Sequence, residues 1–364
     1  MSGSIFGRQF RISTWGESHG KAIGVVIDGC PAGLTLSEDD IQKYLDRRKP
    51  GTSRYTTHRS EADRAEILSG VFEGYTTGTP ISILIRNTDQ HSKDYSELAG
   101  IYRPGHADYG YDVKYGIRDH RGGGRSSGRE TAARVAAGAV AAKVLLELGI
   151  QVQAYTSAIG PVQISSFDPK EISRNTLCMP DPKAAEKAAD FLNSCMEKQD
   201  SAGGVITCIV SGLPAGVGEP VFDKLDALLG KALFSIGAVK GVEIGDGFAA
   251  ALSCGTENND AFCMNSGKVI KKTNHAGGIL GGISDGSDLV IRAAFKPTPS
   301  VSSRQQTVTS SGEDTSLCIK GRHDPVIVPR AVVVVECMTA ITLLDALLCG
   351  MGSRMEYLKK IWDD

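Results

Sequence analysis

The sequence predicts an α+β protein in which antiparallel sheets enclose central helices. Three observations carry this prediction. Strand-like runs such as PISILIRNT (80–88) and SDLVIRAAF (287–295) alternate in polarity and are set off by glycine turns suited to hairpins. Two long stretches, GRETAARVAAGAVAAKVLLELG (128–149) and PRAVVVVECMTAITLLDALLCG (329–350), are rich enough in small and apolar residues to pack on every side. The chain also echoes itself three times in the same order.

In the first echo, the β-rich GVVIDGCPAGLTL (24–36) runs into SEDDIQKYLDRR (37–48), and GVITCIVSGLPAGVG (204–218) runs into VFDKLDALLGKALF (221–234). The second pairs ILSGVFEG (67–74) with ILGGISDG (279–286), each followed by one of the alternating strands. The third pairs the two long helices. One domain built by internal duplication follows, with halves at about 1–150 and 200–350 and a pseudo-twofold relation. The stretch 161–203 has no counterpart. It reads as a peripheral insert, a polar loop followed by the helix DPKAAEKAADFLNSCMEKQ.

Local signals fix the elements. Ser37 is an N-cap candidate, and the acidic residues after it suit the first turn of a helix. DRRKPGTSRYTTHRSEADR (46–64) breaks at Pro50-Gly51 and continues as a flexible, arginine-bearing loop. A helix C-terminus rewards Arg47, Arg48 and Lys49, but no dipole rewards Arg54 and Arg59 beyond it, so the loop has the look of a lid over an anion. In YRPGHADYGYDVKYG (102–116), Tyr109, Tyr111 and Tyr115 read as one face of a strand, and His106 follows a Pro-Gly turn. WGESHG (15–20) places His19 at a turn, directly before what reads as the first strand; such a histidine suits structural or catalytic use.

RDHRGGGRSSGRE (118–130) gathers four arginines and four glycines in thirteen positions. Glycines leading into a helix N-terminus make an anion cradle. Arg125 and Arg129, four apart, share a helix face and repel unless an anion lies between them, whereas Glu130 and Arg134 make a favourable pair. The frame resembles a P-loop but has Arg129-Glu130 where lysine and a hydroxyl are required, so a nucleoside triphosphatase is rejected. A dinucleotide fold lacks its glycine fingerprint. NHAGGILGGISDG (274–286) is a second glycine-rich turn. KPTPS (296–300) holds Lys296 on stiff backbone, and GRHDP (321–325) sets Arg322, His323 and Asp324 before the last long helix.

Composition bounds the function. The chain has 364 residues, a formal net charge of -2, 41% hydrophobic and 23% charged residues. Any basic site is therefore local, and neither nucleic acid nor a membrane is an expected partner. Glycine, at 43 residues, exceeds the usual ~7% and marks tight turns. The nine cysteines are odd in number and irregularly spaced, which predicts reduced thiols and a cytoplasmic location. No signal peptide, and no apolar run near ~18 residues, is read from the sequence. Scattered histidines predict no metal site. Clustered arginines, accessible histidines and few paired carboxylates point to an enzyme acting on a phosphorylated, carboxylated small molecule.

Seven motifs then align in order: GESHG (16–20), DRRKPGTSR (46–54), RPGHAD (103–108), RGGGRSS (121–127), KGVEIGDGF (240–248), NHAGGILGGIS (274–284) and GRHDP (321–325). Together they resemble the chorismate synthase family nearly end to end. The resemblance implies a lyase that converts 5-enolpyruvylshikimate 3-phosphate to chorismate by trans-1,4-elimination of phosphate and the C6 hydrogen. This is the last common step of the shikimate pathway to the aromatic amino acids. It implies reduced FMN as cofactor, although the reaction is redox-neutral, and a homotetramer with a β-α-β sandwich core. It also raises NADPH as a possible reductant; the absence of long inserts leans instead toward a separate flavin reductase.

By the same resemblance, His19 protonates the departing phosphate, His106 protonates the reduced flavin, and Asp324 assists deprotonation at C6 through flavin N5. Arg48, Arg54, Arg129 and Arg134 match arginines on the substrate or NADPH side. Arg125, Ser126, Ser127, Gly237, Ala238 and Gly281 match FMN contacts, as do Lys296, Pro297, Thr298, Pro299, Ser300 and Arg322. Gly237 stands where the family often has asparagine, which a backbone contact survives. Two rivals differ in behaviour: a flavin-dependent oxidoreductase consumes NADPH in step with product, and an anion or RNA binder shows a steep salt slope without turnover.

Overall fold

The computed structural model describes residues 3–51, 53–56, 61–88, 99–319 and 324–362. The first half runs β1 (Ile5–Phe6), β2 (Arg11–Gly16), β3 (Ala22–Asp28), α1 (Glu38–Arg48), β4 (Ala65–Ile67), the hairpin β5 (Val71–Phe72) and β6 (Tyr75–Thr76), and β7 (Ile81–Arg86). Helix α2 (Asp108–Tyr115) and 3-10 turns at 124–126 and 128–130 lead into α3 (Thr131–Glu147). The second half opens with β8 (Gln151–Ile159), β9 (Val162–Gln163), α4 (Pro182–Glu197), β10 (Gly204–Ser211), α5 (Leu225–Phe234), β11 (Val239–Ile244) and the short α6 (Gly255–Asn258). Hairpins β12 (Phe262–Asn265) with β13 (Lys268–Lys271) and β14 (Ile279–Leu280) with β15 (Ile283–Ser284) follow. Then come β16 (Leu289–Phe295), the ribbon β17 (Gln305–Val308) and β18 (Asp314–Leu317), α7 (Val328–Gly350) and α8 (Met355–Trp362).

Two five-stranded antiparallel sheets, ordered β1-β2-β3-β7-β4 and β11-β16-β10-β8-β9, form the outer layers. Alternation in the sequence sets which face is buried. Ile23, Val25 and Ile27 of β3 lie opposite Ile85, Ile83 and Ile81 of β7, all fully buried. Each such side chain contributes about 1.5–3 kcal/mol. In the second sheet, Ile206, Cys208 and Val210 meet Ala293, Ile291 and Leu289 in the same way.

Between the sheets lie the helices. α3 packs on β2, β3 and β7, α7 packs on β8 and β10, and the two helices pack on each other. Gly138 of α3 permits this approach: a Cβ there would overlap the Cβ of Cys337 and come within 2.7 Å of its sulfur. α1 leans on α3 and α7, and α5 on α7 and β11. One continuous core results, shared by both halves. The α+β class holds, and the paired echoes fall on like elements: β3 and β10, α1 and α5, β7 and β16, α3 and α7.

Three expectations change. The tyrosines of 102–116 lie on a helix, not a strand: Tyr111 and Tyr115, four apart, approach at 5.4 Å, and Gly116 closes α2 in the left-handed region. Helix stop chemistry outweighs a short alternation. The turn of His19 does not precede the first strand; β2 enters it and β3 leaves it. Finally, α7 is long and apolar enough to cross a bilayer by composition, with a mean hydropathy of 2.1, yet 83% of that window is buried in the fold. Its two carboxylates are satisfied internally. Glu336 takes a bidentate pair from Arg47 at 2.7 and 2.8 Å, and Asp345 accepts the backbone N–H groups of Arg8, Gln9 and Phe10.

Candidate active site

The glycines of RGGGRSS determine the site's geometry. Gly122, Gly123 and Gly124 have φ of +65°, +83° and +53°, a region that side chains with a Cβ rarely adopt. Space demands glycine as well. A Cβ on Gly122 would lie 2.5 Å from Nδ1 of His19, and one on Gly123 would lie 2.8 Å from Cε1 and 3.1 Å from Nε2 of His106. A single loop therefore bears against both histidines, which are 87 positions apart in the sequence.

His19 occupies a tight turn closed by the Gly20 N–H on the Glu17 carbonyl at 3.1 Å, and its Nδ1 lies 3.1 Å from the Ser18 hydroxyl. Asn87, just beyond β7, secures this turn. Its Nδ2 donates to the carbonyls of Glu17 (3.0 Å) and Gly20 (2.8 Å), while its Oδ1 accepts from Nε of Arg129 at 2.9 Å. His106 sits before α2, where Arg103 and Asp108 flank its Nδ1. Across the cavity, Lys296 Nζ donates to the Gly105 carbonyl at 2.5 Å, tying the end of β16 to the His106 loop. Burial, with Lys240 nearby, lowers the Lys296 pKa.

These elements enclose a cavity of about 550 Å3, within the usual size range for small-molecule sites. From the first half, Arg48, Arg125, Ser126, Ser127, Arg129 and Arg134 line it together with His106. From the second half come Gly237, Ala238, Lys296, Thr298, Pro299 and Ser300, with Asp324. His19 stands behind Gly122, itself part of the wall. Among the described residues, seven cationic side chains line the cavity against three carboxylates.

Three predicted residues lie elsewhere. Arg54 turns onto Tyr55, stacking 4.7 Å over its ring and donating to its hydroxyl. Pro297 packs against Gly203. Gly281 forms the turn between β14 and β15; its neighbour Gly282 accepts the Leu225 N–H at the start of α5, whereas Ser235 to Ala238 at the other end line the cavity. Ten helical residues separate those ends, roughly 15 Å. Arg322 and His323 fall outside the described residues, as does Arg59.

The expected repulsion between Arg125 and Arg129 is also absent. They occupy separate 3-10 turns joined by an extended Ser127, and each has protein partners. Arg125 donates to Thr14 Oγ1 (2.7 Å) and the Gly16 carbonyl (3.2 Å). Arg129 and Arg48 share the buried carboxylate of Asp63. Burial alone would raise the Asp63 pKa; Arg48 and Arg129 hold it below the ordinary range. The loop amides are occupied too: the N–H groups of Ser126 and Ser127 donate to the carbonyls of Gly123 and Gly124. Charge at the cavity wall is thus positioned by the fold and not left for a ligand to reconcile. The expected Glu130–Arg134 pair forms at 2.9 Å, with Arg134 also donating to Ser235 Oγ at 2.5 Å.

Sequence reasoning passed over Arg103, Asp63 and Arg330. Arg330 donates to Asp324 at 2.5 Å and to the Arg48 carbonyl at 3.0 Å, joining a predicted carboxylate to a predicted arginine. A lone cation in the first turn of an otherwise apolar helix was the available signal. Thr298 Oγ1, on the cavity wall, is buried with no hydrogen-bond partner among the described residues, which marks a polar contact for something bound there.

Comparison with known proteins agrees with this arrangement. The family model described as chorismate synthase matches residues 10–348. The chain is 64% identical over 365 residues to a chorismate synthase of Lachnoclostridium phytofermentans, covering all of both sequences. It is 62% identical to one of Agathobacter rectalis, covering 98% of each. A chorismate synthase crystal structure superposes with a TM-score of 0.77 at 34% identity, covering 99% of this chain and 98% of that one.

Proposed function

The chain belongs to the chorismate synthase family, and on that premise we propose that its cavity is where 5-enolpyruvylshikimate 3-phosphate loses phosphate and a ring hydrogen to become chorismate. The observation that carries the reading is the glycine loop that bears on His19 and His106 at once, beside a cavity lined by an excess of cations. A substrate with one phosphate and two carboxylates matches that charge.

Each residue then has a task. His19 protonates the departing phosphate, which imidazole can do near neutrality. His106, on the neighbouring glycine, holds the second proton. Arg330 holds the Asp324 carboxylate on the cavity wall, and Asp324 assists removal of the ring hydrogen. Arg48 and Arg129, braced by Asp63, meet the substrate's anionic groups without having to reorganise.

Reduced FMN, when bound, supplies the transient electron that weakens the C–O bond to phosphate. The residues present fit it: a glycine-lined loop, the Thr298 hydroxyl with no hydrogen-bond partner among the described residues, and open space around Gly237. Arg125, Ser126, Ser127, the backbone of Gly237 and Ala238, Lys296 and Thr298 to Ser300 would hold it. NADPH, or a separate flavin reductase, keeps it reduced. The cytoplasm is the proposed compartment, where nine free thiols remain reduced. A homotetramer is the proposed assembly, supported by exposed Phe262, Met264 and Val269 on the β12–β13 hairpin and by exposed Phe248 and Leu252. Light scattering at four times the 38.5 kDa chain mass checks it.

The deciding experiment is anaerobic phosphate release with photoreduced FMN, repeated with NADPH alone. His19→Ala and His106→Ala are each expected to lose about 100-fold or more in turnover. Near-normal turnover in both variants would overturn the assignment, and NADPH consumed in step with product would mark an oxidoreductase instead.

A further inference from the structure

Nδ1 of His106 has two neighbours of opposite character: Nη2 of Arg103 at 3.1 Å and Oδ1 of Asp108 at 3.0 Å. Guanidinium only donates, and ionised carboxylate only accepts. Nδ1 is therefore satisfied in either protonation state. When it accepts from Arg103, the ring carries its proton on Nε2; when it donates to Asp108, the ring is either the other tautomer or the imidazolium. Nε2 lies toward Gly123, on the side of the glycine loop.

The two partners are themselves immobile. Arg103 donates to Asp108 through Nε (2.8 Å), Nη2 (2.8 Å) and its backbone N–H (3.0 Å), and both side chains are about 4% exposed or less. Arg118, beyond α2, adds an ion pair to Asp108 at 3.3 Å. Burial would raise the Asp108 pKa, but hydrogen bonds from Arg103 and His106 hold it well below the ordinary range, so it stays ionised near neutrality. The other elements packed near this ring contribute Lys296, on the Gly105 carbonyl, and the Ser126 hydroxyl near Gly123.

We propose that Arg103 and Asp108 are opposed positioning residues for His106: Asp108 holds a proton on the ring and Arg103 pushes it off. Their balance keeps one side chain able to give or take a proton at Nε2 without moving. This rests on the reading of His106 as a proton donor at the site, but its test does not require turnover.

The test is the His106 titration followed by NMR of 15N-histidine-labelled protein without cofactor or substrate, with His106→Asn assigning the resonance among the seven histidines. Removing an opposite charge at this distance moves a titration by about one pH unit or more. Asp108→Asn is expected to lower the His106 midpoint by about that much, and Arg103→Gln to raise it by a similar amount. A purely structural role would not split the sign. Midpoints that stay put, or that move in the same direction, overturn the proposal. Should Asp108→Asn disturb the loop it caps, Arg103→Gln alone decides by its direction, and Asp108→Glu is expected to restore the wild-type midpoint in part. Normal turnover in His106→Ala would instead refute the catalytic reading and leave the titration result standing.

Discussion

Asp63 braces the cavity from beneath. Its carboxylate is buried, lies at φ +46°, and receives both Arg48 and Arg129. Asparagine tolerates that backbone region, so Asp63→Asn tests charge and not conformation. It leaves two buried guanidinium groups facing one amide, and a loss of about 3–5 kcal/mol is expected in urea unfolding at pH 7. The pH dependence has a definite sign. A carboxylate whose folded pKa is lowered stabilises the fold above its unfolded value, about 3.9, and loses that contribution as pH falls through the folded one. The gap between wild type and variant should therefore be full near neutrality and narrow below about pH 4. This partnership was illegible in the sequence. Asp63 stands 15 positions from Arg48 and 66 from Arg129, and neither spacing has a local signature. Reading only neighbours, the sequence set Arg125 against Arg129, when each already had a distant partner.

At the scale of the elements, more could be read in advance. The alternating strands, α1 from Ser37, and the two small-residue helices followed from periodicity and capping, because those signals are local. The helix through the tyrosines did not, since eight residues satisfy either period and the left-handed glycine at its end decided the matter. Gly138 tests how tightly α3 and α7 are joined. Gly138→Ala improves helix propensity by about 1 kcal/mol yet drives a methyl into Cys337. Overpacking of this kind costs about 1–3 kcal/mol, so a net fall in melting temperature is expected in calorimetry. A rise would mean that the helices can separate at no cost.

For the whole molecule, the cavity draws its walls from distant parts of the chain, and Lys296 on Gly105 joins two of them. If substrate and FMN share this cavity as proposed, each meets the same prepositioned cations and covers the other, so the two should support each other's binding. Fluorescence titration is expected to show FMN binding at least about tenfold tighter with substrate present, a coupling of roughly 1.4 kcal/mol. Equal affinity with and without substrate would contradict a shared pocket. What this pocket is proposed to hold comes only from the motifs and the family they resemble. The separate residues gave anion binding and proton chemistry, and nothing in their spacing specified an elimination.

Two successive glycines with bare backbone, Gly122 and Gly123, lie against two imidazoles at once. Any compound that wedges beneath that strip and lifts it by an ångström would displace both rings together. Escape by substitution would be hard, since almost any larger residue at either contact strikes a ring on which the proposed reaction depends.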